Sequence, residues 1–138
     1  MNAVEKTAAM RESGYNCAQS VLMALSEYTA LSDELASAIS AGFGGGLRSG
    51  EVCGAICGAV MAFGIVCPFT DPENEKTKAD IAKLASEFTA QLREKYTCVR
   101  CDELKAAEIS CGEIVSYCTE LSEKIIINYM ETKENGNL

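Results

Sequence analysis

The stretch VCGAICGAVMAFGIVCPF, residues 52–69, decides the fold. It carries no charge and no strand-like alternation, and Pro68 marks its end. A run of this kind is either a membrane span or a helix enclosed by other helices. Glycines and cysteines keep its mean hydropathy modest for a span, and no Lys/Arg cluster flanks it. A helix that is apolar all round must be covered by protein instead. The run therefore predicts a buried helix from about Val52 to Val66. Gly54, Gly58 and Ala62 fall at i, i+4 and i+8, so neighbouring backbones can come close along one side.

Outward from this run the periodicity stays helical. Upstream lies a glycine-rich connector, Ala41 to Gly50, whose glycines suit positive φ and tight turning. Its backbone N–H groups would also suit an anion, but the phosphate pattern GxxxxGK is missing. Before it, helices are expected over about Asn2–Glu12, then after the N-cap Asn16, then after Ser32 and Asp33. The second carries Cys17, Val21 and Leu25 on one stripe, and the third is expected to turn Leu35, Ala38 and Ile39 inward. Downstream, Asp71-Pro72-Glu73 opens a long helix to about Lys95, with Ile81, Leu84, Phe88 and Leu92 on one face. Glu73 to Lys83 reads as its solvated side. A short cysteine-bearing segment, Thr97 to Ala107, precedes a last helix from about Ser110 to Met130. The polar tail, 131–138, is expected to fray. The fold class is thus all-α: one domain, 1–138, with about five to six helices bundled around a central glycine- and cysteine-rich buried helix.

The chain has 138 residues, 48% of them hydrophobic, enough for a real core. Its net charge of −8, with no basic stripe, excludes nucleic acid as a natural partner. Histidine is absent, which removes imidazole ligands and His-based triads. Neither a secretory signal nor a twin-arginine pair opens the chain, so a cytoplasmic setting is expected, without a membrane span. There, clustered cysteines read as metal ligands or redox thiols.

Eight cysteines are present. Cys53 and Cys57 are one turn apart, and Cys67 continues roughly the same face. Cys111 and Cys118 are i, i+7 on the last helix, alongside Ile114, Leu121 and Ile125. Cys98 and Cys101 form a CxxC that follows no strand, which disfavours a thioredoxin-like site. Cys17, Cys53, Cys57 and Cys118 are expected to point to a shared interior, with Cys101 arriving from a loop or helix start. Each alone also reads as a small core hydrophobe. Arg48 and Glu51 flank Cys53, as thiol-tuning charges or as a surface ion pair. Tyr15 and Tyr117 read as core aromatics.

Gly14-Tyr15-Asn16-Cys17-Ala18-Gln19, and the run from Gly44-Gly45-Gly46 through Cys53-Gly54-Ala55-Ile56-Cys57-Gly58, resemble the redox-active C_GCAxxG_C_C family. That family is named for a lone Cys, a CGAxxG-type motif and two further Cys. Cys17 and Cys53 match the first two; Cys101 and Cys118 are the best matches for the others. The resemblance implies redox activity and a prosthetic group such as an iron–sulfur cluster, with no established reaction, so whether the chain is an enzyme stays open. It implies Cys17, Cys53, Cys101 and Cys118 as the cofactor- or metal-binding set, with Cys57, Cys98 and Cys111 as possible extras. Four sulfurs without imidazole suit an iron–sulfur cluster or zinc. Two alternatives stand beside an electron-transfer cluster. One is metal-free thiol–disulfide chemistry, with Cys53 at a helix N-terminus as the attacking thiolate and Cys17 among its partners. The other is a structural zinc or partner-binding bundle. An unidentified redox partner is implied, and the amphipathic last helix suits a homodimer.

Overall fold

The computed structural model describes residues 1–136, and among them the chain is all-α. Eight α-helices follow in order: α1 (Ala3–Glu12), α2 (Cys17–Ala24), α3 (Ser26–Thr29), α4 (Asp33–Ser40), α5 (Gly54–Val66), α6 (Glu75–Tyr96), α7 (Cys101–Ala106) and α8 (Cys111–Glu134). The count exceeds the expected number because α3 and α7 are short pieces, a break after α2 and the cysteine-bearing segment before α8. α8 runs past Met130 to Glu134, with Asn135 N–H closing on Glu131 O, so helix occupies the start of the expected tail. Residues 137–138 lie outside the described part.

Side-chain caps set most helix starts. Asn2 and Asn16 each accept from the backbone N–H three residues on, and Glu5 and Gln19 reach back to the cap in return. Ser32, Asn74 and Ser110 cap α4, α6 and α8 in the one-way form. For α6 the cap is Asn74, slightly later than the proline signal suggested.

α5 packs against α2, α8 and α6. Its Gly54, Ala55, Ile56, Gly58, Ala59, Ala62 and Phe63 are buried, while Ile65 is 42% exposed, so the helix is not enclosed on every side. Gly58 sits against the Ala18 carbonyl of α2, where an added Cβ would lie 2.6 Å from the oxygen. Phe63 meets Phe88 of α6 edge-on at 5.3 Å, and Leu84 and Leu92 complete that face.

Four expected core positions turn out differently. Leu35 and Ile39 of α4 are 50% and 46% exposed, with Ala38 exposed beside them. The buried side of α4 is Ala36 and Ser40, and Gln19 of α2 donates to Ser37 O. Small residues let α4 approach α2 closely, and that contact outweighs the bulkier neighbouring face. Tyr15 is 38% exposed rather than core, whereas Tyr117 is half-buried and packs edge-on against Tyr96.

The α1–α8 contact contains a buried hydroxyl pair, Thr7 and Thr119, 2.8 Å apart. Thr119 donates to Val115 O, so Thr7 is the donor between them. Thr119→Val strands the Thr7 hydroxyl in apolar surroundings and should cost about 1–3 kcal/mol. Thr7→Val leaves Thr119 its own acceptor and should cost less. Urea titration of both variants and the double is expected to give less than the sum of the two losses.

Candidate functional site

Two helix N-termini meet where the connector crosses the bundle. Cys17 is the first residue of α2, just after its cap, and Cys53 is the residue that opens α5. The two thiols influence each other's ionisation, the Cys53 thiol favouring the thiolate on Cys17. The Cys17 sulfur lies 2.6 Å from where a Cβ on Gly54 would stand, so glycine there makes the room it occupies.

The connector supplies another donor. Gly45, Gly46, Leu47 and Arg48 follow one another at φ 65, 64, 59 and 57°, a left-handed turn in which only two residues are glycine. Leu47 and Arg48 each carry about 1–2 kcal/mol of strain in that conformation. This path leaves the Gly45 N–H placed to favour the Cys17 thiolate. Gly46 is pressed between the Glu51 backbone and the Cys101 Cβ.

The segment after α6 holds this loop from the other side. Val52 and Arg100 form an isolated antiparallel bridge, with Cys53 N–H donating to Val99 O (2.8 Å) and Cys101 N–H to Glu51 O (2.7 Å). Arg100 donates to Glu51 at 2.6 Å and grips Asp102 through both carboxylate oxygens at 3.1 Å. Glu51 is therefore paired with Arg100, not with Arg48 beside it in sequence.

Charge in this site belongs on Cys17. The Cys53 thiol and the N–H groups of Gly45, Ala18 and Cys17 itself lower its pKa to about 5, against the opposing effect of burial. Donating to Cys17, together with burial and the neighbouring Cys118, pushes Cys53 the other way, and only the Ala55 N–H relieves it. Burial and the charge on Cys17 also raise Cys118, which is fully buried, and Cys57, which is half-buried. Two thiols with one proton between them ionise as a unit, and the N–H donors decide which sulfur carries the charge. The depressed thiol is Cys17 and the raised one is Cys53. A helix N-terminus alone does not discriminate between the two; the number of backbone donors does.

The structure thus brings Cys17 and Cys53 into contact, with Cys118 and Cys57 close enough to feel the charge on Cys17. Cys101 stands against Gly46 and lines a shallow pocket with Gly45, Arg48, Ser49 and Lys105. Cys98 is half-buried and donates to Tyr96 O, Cys111 is exposed at the start of α8, and Cys67 is buried at the far end of α5, where Tyr129 donates to it. All eight are free thiols. Among the described residues no three Cys, Asp or Glu are gathered as a metal ion requires. Cys17, Cys53, Cys101 and Cys118 are therefore not gathered into one such group, nor are Cys57, Cys98 and Cys111 gathered with them.

Sequence reading missed Gly45 as a sulfur ligand and Arg100 as the clamp on Glu51. The charged residue inside the CxxC, directly opposite Val52 once folded, was the available signal for the second. Among the described residues no helix is long and apolar enough to cross a membrane. A family model described as "Putative redox-active protein (C_GCAxxG_C_C)" matches residues 15–126. No curated protein and no solved structure matches the chain.

Proposed function

The chain belongs to the redox-active C_GCAxxG_C_C family, and from that premise we propose that it works as a metal-free thiol–disulfide redox protein with Cys17 and Cys53 as its active pair. The single observation carrying this reading is the packing of the Cys17 sulfur at the start of α2 onto Gly54, the residue that follows Cys53 at the start of α5. The thiolate is the nucleophile of disulfide exchange. Cys17 attacks one sulfur of a substrate disulfide, forming a mixed disulfide and expelling the other sulfur as a thiolate. That thiolate takes the Cys53 proton. Cys53 then attacks the Cys17 sulfur and releases the second half of the substrate. Two electrons leave the pair, which ends as a Cys17–Cys53 disulfide, and the substrate ends as one thiol and one thiolate, the latter taking a proton from water. The redox partner is accordingly a disulfide or dithiol.

Equilibration in a graded thiol/disulfide buffer, acid quenching and peptide mapping test this directly. The expected result is a Cys17–Cys53 disulfide formed first, in a single two-electron transition. Two results would overturn it: first pairing elsewhere, at Cys98 and Cys101 for example, or one equivalent of iron or zinc per chain that blocks Cys17 and Cys53 from oxidation.

A further inference from the structure

The turn of α5 that carries Cys57 is the one pressed against Cys17. Gly54 and Gly58, which bracket Cys57, rest on the Cys17 sulfur and the Ala18 carbonyl. The Cys57 N–H closes on Cys53 O at 3.1 Å, so the two cysteines are stacked one turn apart. Their exposure differs. Cys53 is 4% exposed and Cys118 0%, whereas Cys17 and Cys57 are both partly open to solvent. A disulfide between Cys17 and Cys53 therefore has one sulfur that a reductant reaches poorly.

We propose that Cys57 is a third redox thiol, which exchanges into the Cys17–Cys53 disulfide to give Cys17–Cys57 and brings the bond toward the surface. This rests on the Cys17–Cys53 reading and adds to it the route by which the oxidised pair is regenerated. The exchange must run through Cys17. Residues four apart on a helix have Cβ atoms about 5–6 Å apart, too far for the roughly 4 Å a disulfide spans. In the exchange Cys57 gives its proton to water, and its thiolate attacks the Cys17 sulfur. The Cys17–Cys53 bond breaks, and Cys53 leaves as a thiolate that is reprotonated by water. One disulfide is exchanged for another, with no net oxidation. Burial is the main cause that holds Cys57 as a thiol and the charge on Cys17 adds to it; that addition disappears when Cys17 enters a disulfide.

Wild type, Cys53→Ser and Cys57→Ser are each treated with oxidised glutathione, quenched in acid and mapped. Wild type should yield both Cys17–Cys53 and Cys17–Cys57. Cys53→Ser should resolve its glutathione adduct on Cys17 through Cys57. Oxidised Cys57→Ser should be reduced by glutathione several-fold more slowly than oxidised wild type. A persistent Cys17 adduct in Cys53→Ser, resolution by another cysteine, or equal reduction rates in Cys57→Ser overturns the relay. Absence of Cys17–Cys53 in wild type overturns the underlying pair, whereas its presence without any Cys17–Cys57 overturns the relay alone. Should Cys53→Ser fold poorly, the wild-type map and the Cys57→Ser rates still decide.

Discussion

At pH 6 Cys17 should react with iodoacetamide about tenfold faster than a free thiol of ordinary pKa, and by pH 9 the order should reverse. The factor is a balance of two effects. With its pKa lowered to about 5, Cys17 is mostly thiolate at pH 6, whereas an ordinary thiol near 8.5 is ionised only to roughly 0.3%. That gives Cys17 an advantage of roughly 300-fold. Intrinsic nucleophilicity falls with pKa, and a Brønsted slope near 0.4–0.5 returns about 25- to 55-fold of it, leaving a net advantage of about 5- to 12-fold. The rate should be flat above about pH 6 and fall through about 5, as the Cys17 pKa requires. Cys53→Ala removes one donor and leaves the N–H groups, so the midpoint should rise without reaching the ordinary value. A midpoint unchanged in Cys53→Ala would mean that the thiol contact does not hold the charge.

Stability should follow the same titration. A pKa lowered on folding stabilises the native state above the unfolded value, and that contribution is lost as pH falls from about 9 toward about 5. Cys53, raised on folding, works in the opposite sense and loses its contribution as pH climbs past the ordinary thiol range. Cys17→Ser should flatten the acid-side slope in denaturant titrations and abolish the fast alkylation.

Gly54→Ala should be the most damaging single methyl group on α5 for the site. The new Cβ would lie 2.6 Å from the Cys17 sulfur and 2.7 Å from Phe43 O, a backbone atom that cannot swing aside. Alanine is favoured over glycine in a helix by about 1 kcal/mol, but overpacking of this kind costs about 1–3 kcal/mol. The net expectation is a less stable protein whose Cys17 sulfur is displaced from Cys53, read together as a lower urea midpoint and a higher alkylation midpoint. Gly64→Ala on the same helix is the control. Nothing lies within 4 Å of its Cβ, so it should be neutral or stabilising. Equal effects at the two positions would show that the close approach of Cys17 to α5 is not structurally important.

Much of this architecture was legible because it is local. Asn16 caps α2 as expected, Ser32 and Ser110 stand at the starts of α4 and α8 where helices were expected to open, and Leu84, Phe88 and Leu92 fall on one buried stripe. Ile114, Leu121 and Ile125 do the same on α8. Where two contact surfaces competed, the sequence pattern misled. The apolar side of α4 suggested Leu35 and Ile39 inside, but Ala36 and Ser40 allow the closer contact with α2. The site followed the same division. Cys17 and Cys53 were visible as candidates, while the partition of charge between them depends on the Gly45 N–H, delivered by a backbone conformation that Leu47 and Arg48 adopt against their preference. No spacing rule encodes that.

The clamp by Val99, Arg100 and Cys101 on Glu51 and Cys53 also bears on how the protein is made. Everything that fixes the left-handed turn from outside is synthesised long after the two sulfurs it serves. A growing chain therefore emerges from the ribosome with Cys17 and Cys53 already translated but without the strut that steadies their surroundings. The strut itself can close only once the polypeptide has passed Cys101 and folded back on itself.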